Sequence, residues 1–235
     1  MRVLVTRPEP DATLTAAKLE QLGHQVLVDP LLTLEPVTGH EVPAGEFAAV
    51  AVTSANAMRV AGGMRALDAL RSIPLYAVGH ATAEAARAAG FSQVIAAGGD
   101  TTALAHCLAE RLPASARVLY LAGEDRAQDL GELLGPARIA VTLLVLYRMR
   151  AARALADATA TALASGSADA VLHFSARSAA VFAAVVERQG LVNAACRMRH
   201  YCLSRAVAAP LQAIGANAQI AARPNETDLL ALLEP

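Results

Sequence analysis

Residues 48–60 (AAVAVTSANAMRV) and 168–180 (ADAVLHFSARSAA) follow one pattern: an apolar run, a short polar turn, then helical spacing. An apolar run of this kind predicts a strand buried on both faces of a parallel sheet, and the hydroxyl-rich turn predicts a helix N-terminus. Ser54 and Ser175 fall at the same place in the two copies. A chain organised around this device layers helices over parallel strands.

More of the sequence repeats in step. Residues 75–83 (LYAVGHATA) resemble 200–208 (HYCLSRAVA), and 99–104 (GDTTAL) resemble 225–230 (NETDLL). Residues 2–5 (RVLV) resemble 117–120 (RVLY), but this unit stands first in one half and last in the other. The expected fold class is therefore α/β, with two similar parallel-sheet lobes, one inserted in the other. Within it, a helix capped by Asp11 or Thr13 and stopped by Gly23 follows the first strand. Further helices are expected after the 48–62 unit, through Leu70, and over 154–165. Residues 30–37 (PLLTLEPV) are too short for another α/β unit and read as an extended connection. The long β-rich run 139–149 returns beside them, so antiparallel pairing gives a two-stranded ladder that serves as a hinge. The expected division is 1–33 and 150–235 for the outer lobe, 38–142 for the inserted lobe, and 30–37 with 143–149 for the ladder.

Composition narrows the function classes. With 235 residues, 55% hydrophobic content, 3% aromatic and no Trp, Ala, Val and Leu must build the cores. A net charge of −1 argues against a nucleic-acid partner bound through phosphate neutralisation. No run approaches the roughly 18 apolar residues of a membrane span, and Arg7-Pro8 ends the opening apolar run too soon for a signal peptide. Cys107, Cys196 and Cys202 lack CxxC spacing and read as small hydrophobes in a reducing compartment. A cytoplasmic protein is expected. Every basic residue except Lys18 is Arg, the side chain suited to bidentate carboxylate recognition.

In open α/β sheets the ligand lies beyond the carboxyl ends of the strands. Those ends carry Arg7, Ser54, Asn56, Thr82, Ser175, Ser204 and Arg205, the candidate binding residues. Two lobes facing each other direct these turns into one cleft. Each turn also opens a helix, whose free N–H groups and positive dipole end favour anions. The hydroxyl residues serve equally as N-caps. There is no GxGxxG, Walker or GxSxG motif. The six histidines lack metal-ligand spacing, and His106 reads as structural. The pattern points to anionic groups held by backbone amides, with no metal or nucleotide cofactor.

The motifs LVTRP (4–8), VTSANAM (52–58), YAVGHATAEA (76–85), VLYLAGED (118–125), LYR (146–148), FSARSA (174–179) and RPNETDLLALL (223–233) occur in an order that resembles the uroporphyrinogen-III synthase family over nearly the whole chain. The resemblance implies two α/β lobes joined by a two-stranded ladder. It also implies a cofactor-free lyase that closes linear hydroxymethylbilane to uroporphyrinogen III, inverting ring D through a spiro intermediate with loss of water; a monomer is expected. The family's tyrosine on the returning ladder strand falls on Tyr147, the implied catalytic residue. Its turn serines fall on Ser54 and Ser175, and its third-turn threonine on Thr82. One departure stands out. Where the second lobe commonly reads like IGPTTA, this chain has 203–208 LSRAVA, so the hydroxyl is missing at Val207 and only backbone binding remains there. The alternative is a bilobed small-molecule binding protein without catalysis, which the hinge suits equally well. A paired-lobe sugar-nucleotide transferase ranks lower, since no nucleotide signature is present.

Overall fold

A computed structural model of the chain describes residues 1–39, 41–126 and 128–233. The chain divides into two compact units, Met1–Thr33 with Arg150–Pro235, and Leu34–Met149. It opens with β1 (Arg2–Val5), α1 (Asp11–Gln21) and β2 (Gln25–Val28), and β3 (Leu32–Pro36) then leads out of the first unit. The inserted unit runs β4 (Ala49–Val52), α2 (Ala55–Ala61), β5 (Leu75–Ala77), α3 (His80–Ala88), β6 (Val94–Ala96), α4 (Thr101–Arg111), β7 (Arg117–Gly123), α5 (Leu130–Leu134) and β8 (Ala140–Ala151). The outer unit resumes with α6 (Asp157–Ala164), β9 (Ala170–His173), α7 (Ala176–Arg188), α8 (Val192–Arg197), β10 (Arg199–Cys202), α9 (Arg205–Gln212), β11 (Ala218–Ile220) and α10 (Glu226–Leu230).

The inserted sheet has the order β3-β8-β7-β4-β5-β6, and the outer sheet β11-β10-β9-β1-β2. All pairs are parallel except β3 with β8. There, Val37 N–H donates to Leu146 O and Ala152 N–H to Leu31 O, the opposed numbering of an antiparallel ladder. The outer sheet's β9, β10 and β11 match β4, β5 and β6, while its β1 and β2 match β7 and β8. The permutation read from RVLV and RVLY is thus the topology: one five-strand pattern, entered at two different points.

Alternation along the strands sorts the cores. In β4, Val50 and Val52 face the side covered by α2 and α3, while Ala49 and Ala51 face α4 and α5. In the outer unit, α7, α8 and α9 cover one face of the sheet, and α1 and α10 the other. Helices on both faces cover the central strands, which is why β4 and β9 are buried at every residue.

The structure corrects several local expectations. Pro10 stands at the N-cap of α1 and makes no side-chain cap bond; the Glu9 carboxylate accepts the Thr13 N–H instead. Helix α2 ends at Ala61 before Gly62 and Gly63, and the further helix expected through Leu70 forms only as a 3-10 turn, Arg65–Leu70. Helix α6 starts at Asp157, since the Leu155 and Ala156 N–H groups are held by Gln189 and Asp29. Helix α8 was not anticipated. His106 is exposed, and among the described residues the histidines buried in a core are His173 and His200.

Candidate active site

In the inserted sheet the order of connection reverses between β4 and β7, because successive crossovers run outward from β4 on one side and from β7 on the other. A crevice forms beyond the carboxyl ends at such a point. The residues there are Thr53 and Ser54 after β4, and Gly123 and Glu124 at the end of β7. Ser54 has extended backbone and caps α2, its Oγ accepting the Asn56 N–H at 3.2 Å. Thr53 Oγ1 lies 2.7 Å from the Tyr120 phenol on β7, tying the turn to the neighbouring strand. Burial pushes the Tyr120 pKa up, partly opposed by the Thr53 hydrogen bond, so this phenol stays protonated.

Tyr147 enters from β8, the strand on the far side of β7. Its Oη donates to Ser54 Oγ at 2.9 Å. Two features make this reach possible. First, the β7–β8 register slips at the end of the pair: Ala122 faces Val145, but Gly123 faces Tyr147. The extra residue is a β-bulge, and it puts the adjacent Leu146 and Tyr147 on the same face, packed with α2 and α3. Strict alternation would have sent Tyr147 to the opposite side of the sheet. Second, the phenol ring crosses over β7 at its one glycine. A β-carbon at Gly123 would stand 2.7 Å from Tyr147 Cζ and 2.9 Å from its Oη. The backbone closes the arrangement, with Glu124 N–H donating to Tyr147 O at 2.8 Å.

Thr82 lies buried in the first turn of α3, whose N-cap is Gly79. This turn neighbours Ser54, since Val78 N–H donates to Val52 O. No side chain occupies the N-cap, and a β-carbon added at Gly79 would meet nothing within 4 Å. Asn56 contributes its N–H to the Ser54 cap, while its Oδ1 accepts from Arg59 at 2.6 Å.

The other candidates lie in the outer unit. Ser175 caps α7, accepting the Ser178 N–H at 3.1 Å and donating to Ser178 Oγ at 2.9 Å. Ser204 caps α9 through the Val207 N–H at 3.4 Å, and Arg205 is exposed at that helix's first position. Arg7 is engaged on several sides. Its guanidinium bonds Asp11 at 3.2 Å, Glu226 at 3.1 Å and Thr15 at 3.0 Å, and lies over the Phe174 ring. Ser54 and Tyr147 thus come together, with Asn56 and Thr82 beside them. Gly123 and Tyr120 belong to the same constellation and were not singled out from sequence. Both lie in the VLYLAGED motif (118–125), but their roles there depend on the bulge and the sheet order.

The comparisons with known proteins bear on this geometry. The family model described as uroporphyrinogen-III synthase HemD matches residues 14–231. The chain belongs to the uroporphyrinogen-III synthase family. It is an enzyme of tetrapyrrole biosynthesis that cyclises hydroxymethylbilane. Its fold is similar to that of uroporphyrinogen-III synthetase from Helicobacter pylori, with a TM-score of 0.67 at 20% identity over 99% of this chain and 98% of that one. It is also similar to a mutant uroporphyrinogen III synthase from Thermus thermophilus, with a TM-score of 0.58 at 19% identity over 99% and 96% of the two chains. No curated protein matches the chain by sequence. The binding-protein alternative is set aside by the family match. Among the described residues no helix is long and apolar enough to cross a membrane.

Proposed function

We propose that this member of the synthase family performs its chemistry at the turn after β4, where the Tyr147–Ser54 hydroxyl pair assists departure of hydroxide from hydroxymethylbilane. The observation that carries this reading is the 2.9 Å hydrogen bond between the two hydroxyls at the point where the sheet order reverses. In the step assisted, the C–O bond of the terminal hydroxymethyl group breaks and its electron pair leaves with oxygen. The pyrrole nitrogen lone pair fills the deficit, giving an azafulvenium ion, and the ring N–H proton converts hydroxide to water. The azafulvene carbon is then attacked by the substituted α-carbon of the last pyrrole, and the resulting spiro intermediate fragments and recloses with ring D inverted. Neither hydroxyl of the protein needs to lose its proton.

The substrate is reactive in itself, so orientation is the larger part of the task. N-terminal amides of α3, α7 and α9 are proposed to hold its acetates and propionates, with Thr82, Ser175 and Ser204 at those turns. Arg205, exposed beside Ser204, is placed in the same set. For Arg7 to join it, its bonds to Asp11 and Glu226 must first be exchanged for a substrate carboxylate. The enzyme is proposed to act as a monomer, since the hydroxyl pair comes from one unit of one chain, and to work in the cytoplasm, a reading its three free cysteines support.

The test is incubation with freshly generated hydroxymethylbilane followed by isomer analysis. Uroporphyrinogen III should form in proportion to enzyme. Isomer I alone at every enzyme concentration would overturn the reading.

A further inference from the structure

We infer that Ser54, not Tyr147, is the group that touches the leaving hydroxyl, and that Tyr147 acts through it as a positioning residue. This rests on the proposed site above and assigns the order of its two hydroxyls. A serine hydroxyl has one proton to donate and two lone pairs to accept with. At Ser54 both lone pairs are taken, one by the Asn56 N–H at 3.2 Å and one by the Tyr147 O–H at 2.9 Å. The Ser54 proton is therefore left to donate, and among the described residues no acceptor receives it. Ser54 is only half-buried, so a ligand oxygen can reach that proton.

Tyr147 is in the opposite position. Its one proton is already directed to Ser54. The ring is pinned over Gly123 and is 8% exposed, packed among Leu144, Leu146 and Met58. A donor that is already satisfied and largely covered is poorly placed to reach substrate. A hydroxyl that accepts two hydrogen bonds becomes a stronger donor, because each accepted bond polarises its own O–H. The result is a directed chain, Tyr147 O–H to Ser54 Oγ, and Ser54 O–H to the departing oxygen. Both groups start and finish neutral, so the chain stabilises developing negative charge on that oxygen as an oxyanion hole does.

The test is a double-variant cycle on the rate of uroporphyrinogen III formation, with kcat and KM measured separately. Ser54→Gly keeps a tolerated N-cap and should lower kcat about 100-fold. Tyr147→Phe should lower it about 10–100-fold. The double variant should be no slower than Ser54→Gly alone, because Tyr147 has nothing left to act through. KM should stay within threefold throughout, with kcat referred to the folded enzyme so that loss of structure does not enter the comparison. Ser54→Thr, which retains the hydroxyl, should recover most of the rate. Losses that multiply in the double variant would overturn the relay, as would Tyr147→Phe crippling an enzyme in which Ser54→Gly is normal. These outcomes leave the isomer III product of the unaltered enzyme untouched, so failure of the relay is distinct from failure of the assigned reaction.

Discussion

The two units share one sheet pattern and differ most at the point where that pattern reverses. Matching β4 to β9 and β7 to β1 by their registers makes Val52, Thr53, Ser54 and Tyr120 of the inserted unit the counterparts of His173, Phe174, Ser175 and Val5 in the outer one. Both copies keep the serine cap. Around it, the inserted unit gathers three more hydroxyls, from Thr53, Tyr120 and Tyr147. The outer unit instead has the Phe174 ring under Arg7, and β1 and β2 pair without any register slip. A duplicated scaffold thus supplies the turn, but a bulge supplies the chemistry. The outer unit lacks the long, slipped strand that would aim a second phenol at Ser175.

The largest expected effect comes from closing the gap that lets Tyr147 through. Gly123→Ala puts a β-carbon where the phenol lies and should lower uroporphyrinogen III formation about 10–100-fold, comparable to removing the Tyr147 hydroxyl itself. The fold should survive, since overpacking by one methyl group costs about 1–3 kcal/mol. A rate within twofold of the unaltered enzyme would show that Tyr147 has room to move aside without consequence.

A second contrast is between the buried histidine pair and its apolar counterparts. His173 and His200 occupy the places of Val52 and Leu75. His200 Nε2–H donates to Ala195 O at 2.9 Å, which makes its Nδ1 the acceptor for His173 Nε2–H at 3.1 Å. His173 Nδ1 is then an acceptor without a partner among the described residues. Burial pushes both imidazoles below their ordinary value, His173 well below it, so the unfolded chain takes up protons that the fold refuses. Stability is fully present above about pH 6.5 and is lost as pH falls through it, with a limiting slope of about 1.4 kcal/mol per pH unit for each proton. Urea unfolding followed between pH 7.5 and 5 should show this decline. His173→Val with His200→Leu, which copies the inserted unit, should flatten it. An unchanged slope in that double variant would assign the acid sensitivity to other groups.

The smallest effect belongs to the outer serine. Ser175→Ala removes a cap and a bond to Ser178, so it should reduce stability by about 1 kcal/mol and slow product formation by no more than about tenfold. A hundredfold loss in folded protein would make the two turns chemically equivalent and erase the contrast drawn above.

Much of this architecture is legible in the sequence because repetition and parallel-strand patterning are local signals. The paired turns, the permuted RVLV unit and the returning strand all leave apolar runs and caps at readable positions. Ser54 and Tyr147 are marked by family motifs, yet their meeting is not, since it depends on a one-residue slip between Ala122 and Gly123. Gly123 looks like any strand-ending glycine until the phenol crosses over it. Arg7 shows the converse. Its position beyond β1 reads as a carboxylate receptor, but it is already held by Asp11 and Thr15 nearby and by Glu226 from the far end of the chain.

The account stands on the claim that product formation depends on the hydroxyl cluster of the inserted unit. The most direct measurement sets the rate of uroporphyrinogen III formation by Tyr147→Phe beside that of Ser175→Ala, with melting temperatures recorded for both. Tyr147→Phe should be slower by about 10–100-fold with its melting temperature within a few degrees of the unaltered enzyme, while Ser175→Ala stays within about tenfold. Tyr147→Phe turning over at the unaltered rate, at unaltered stability, would contradict it.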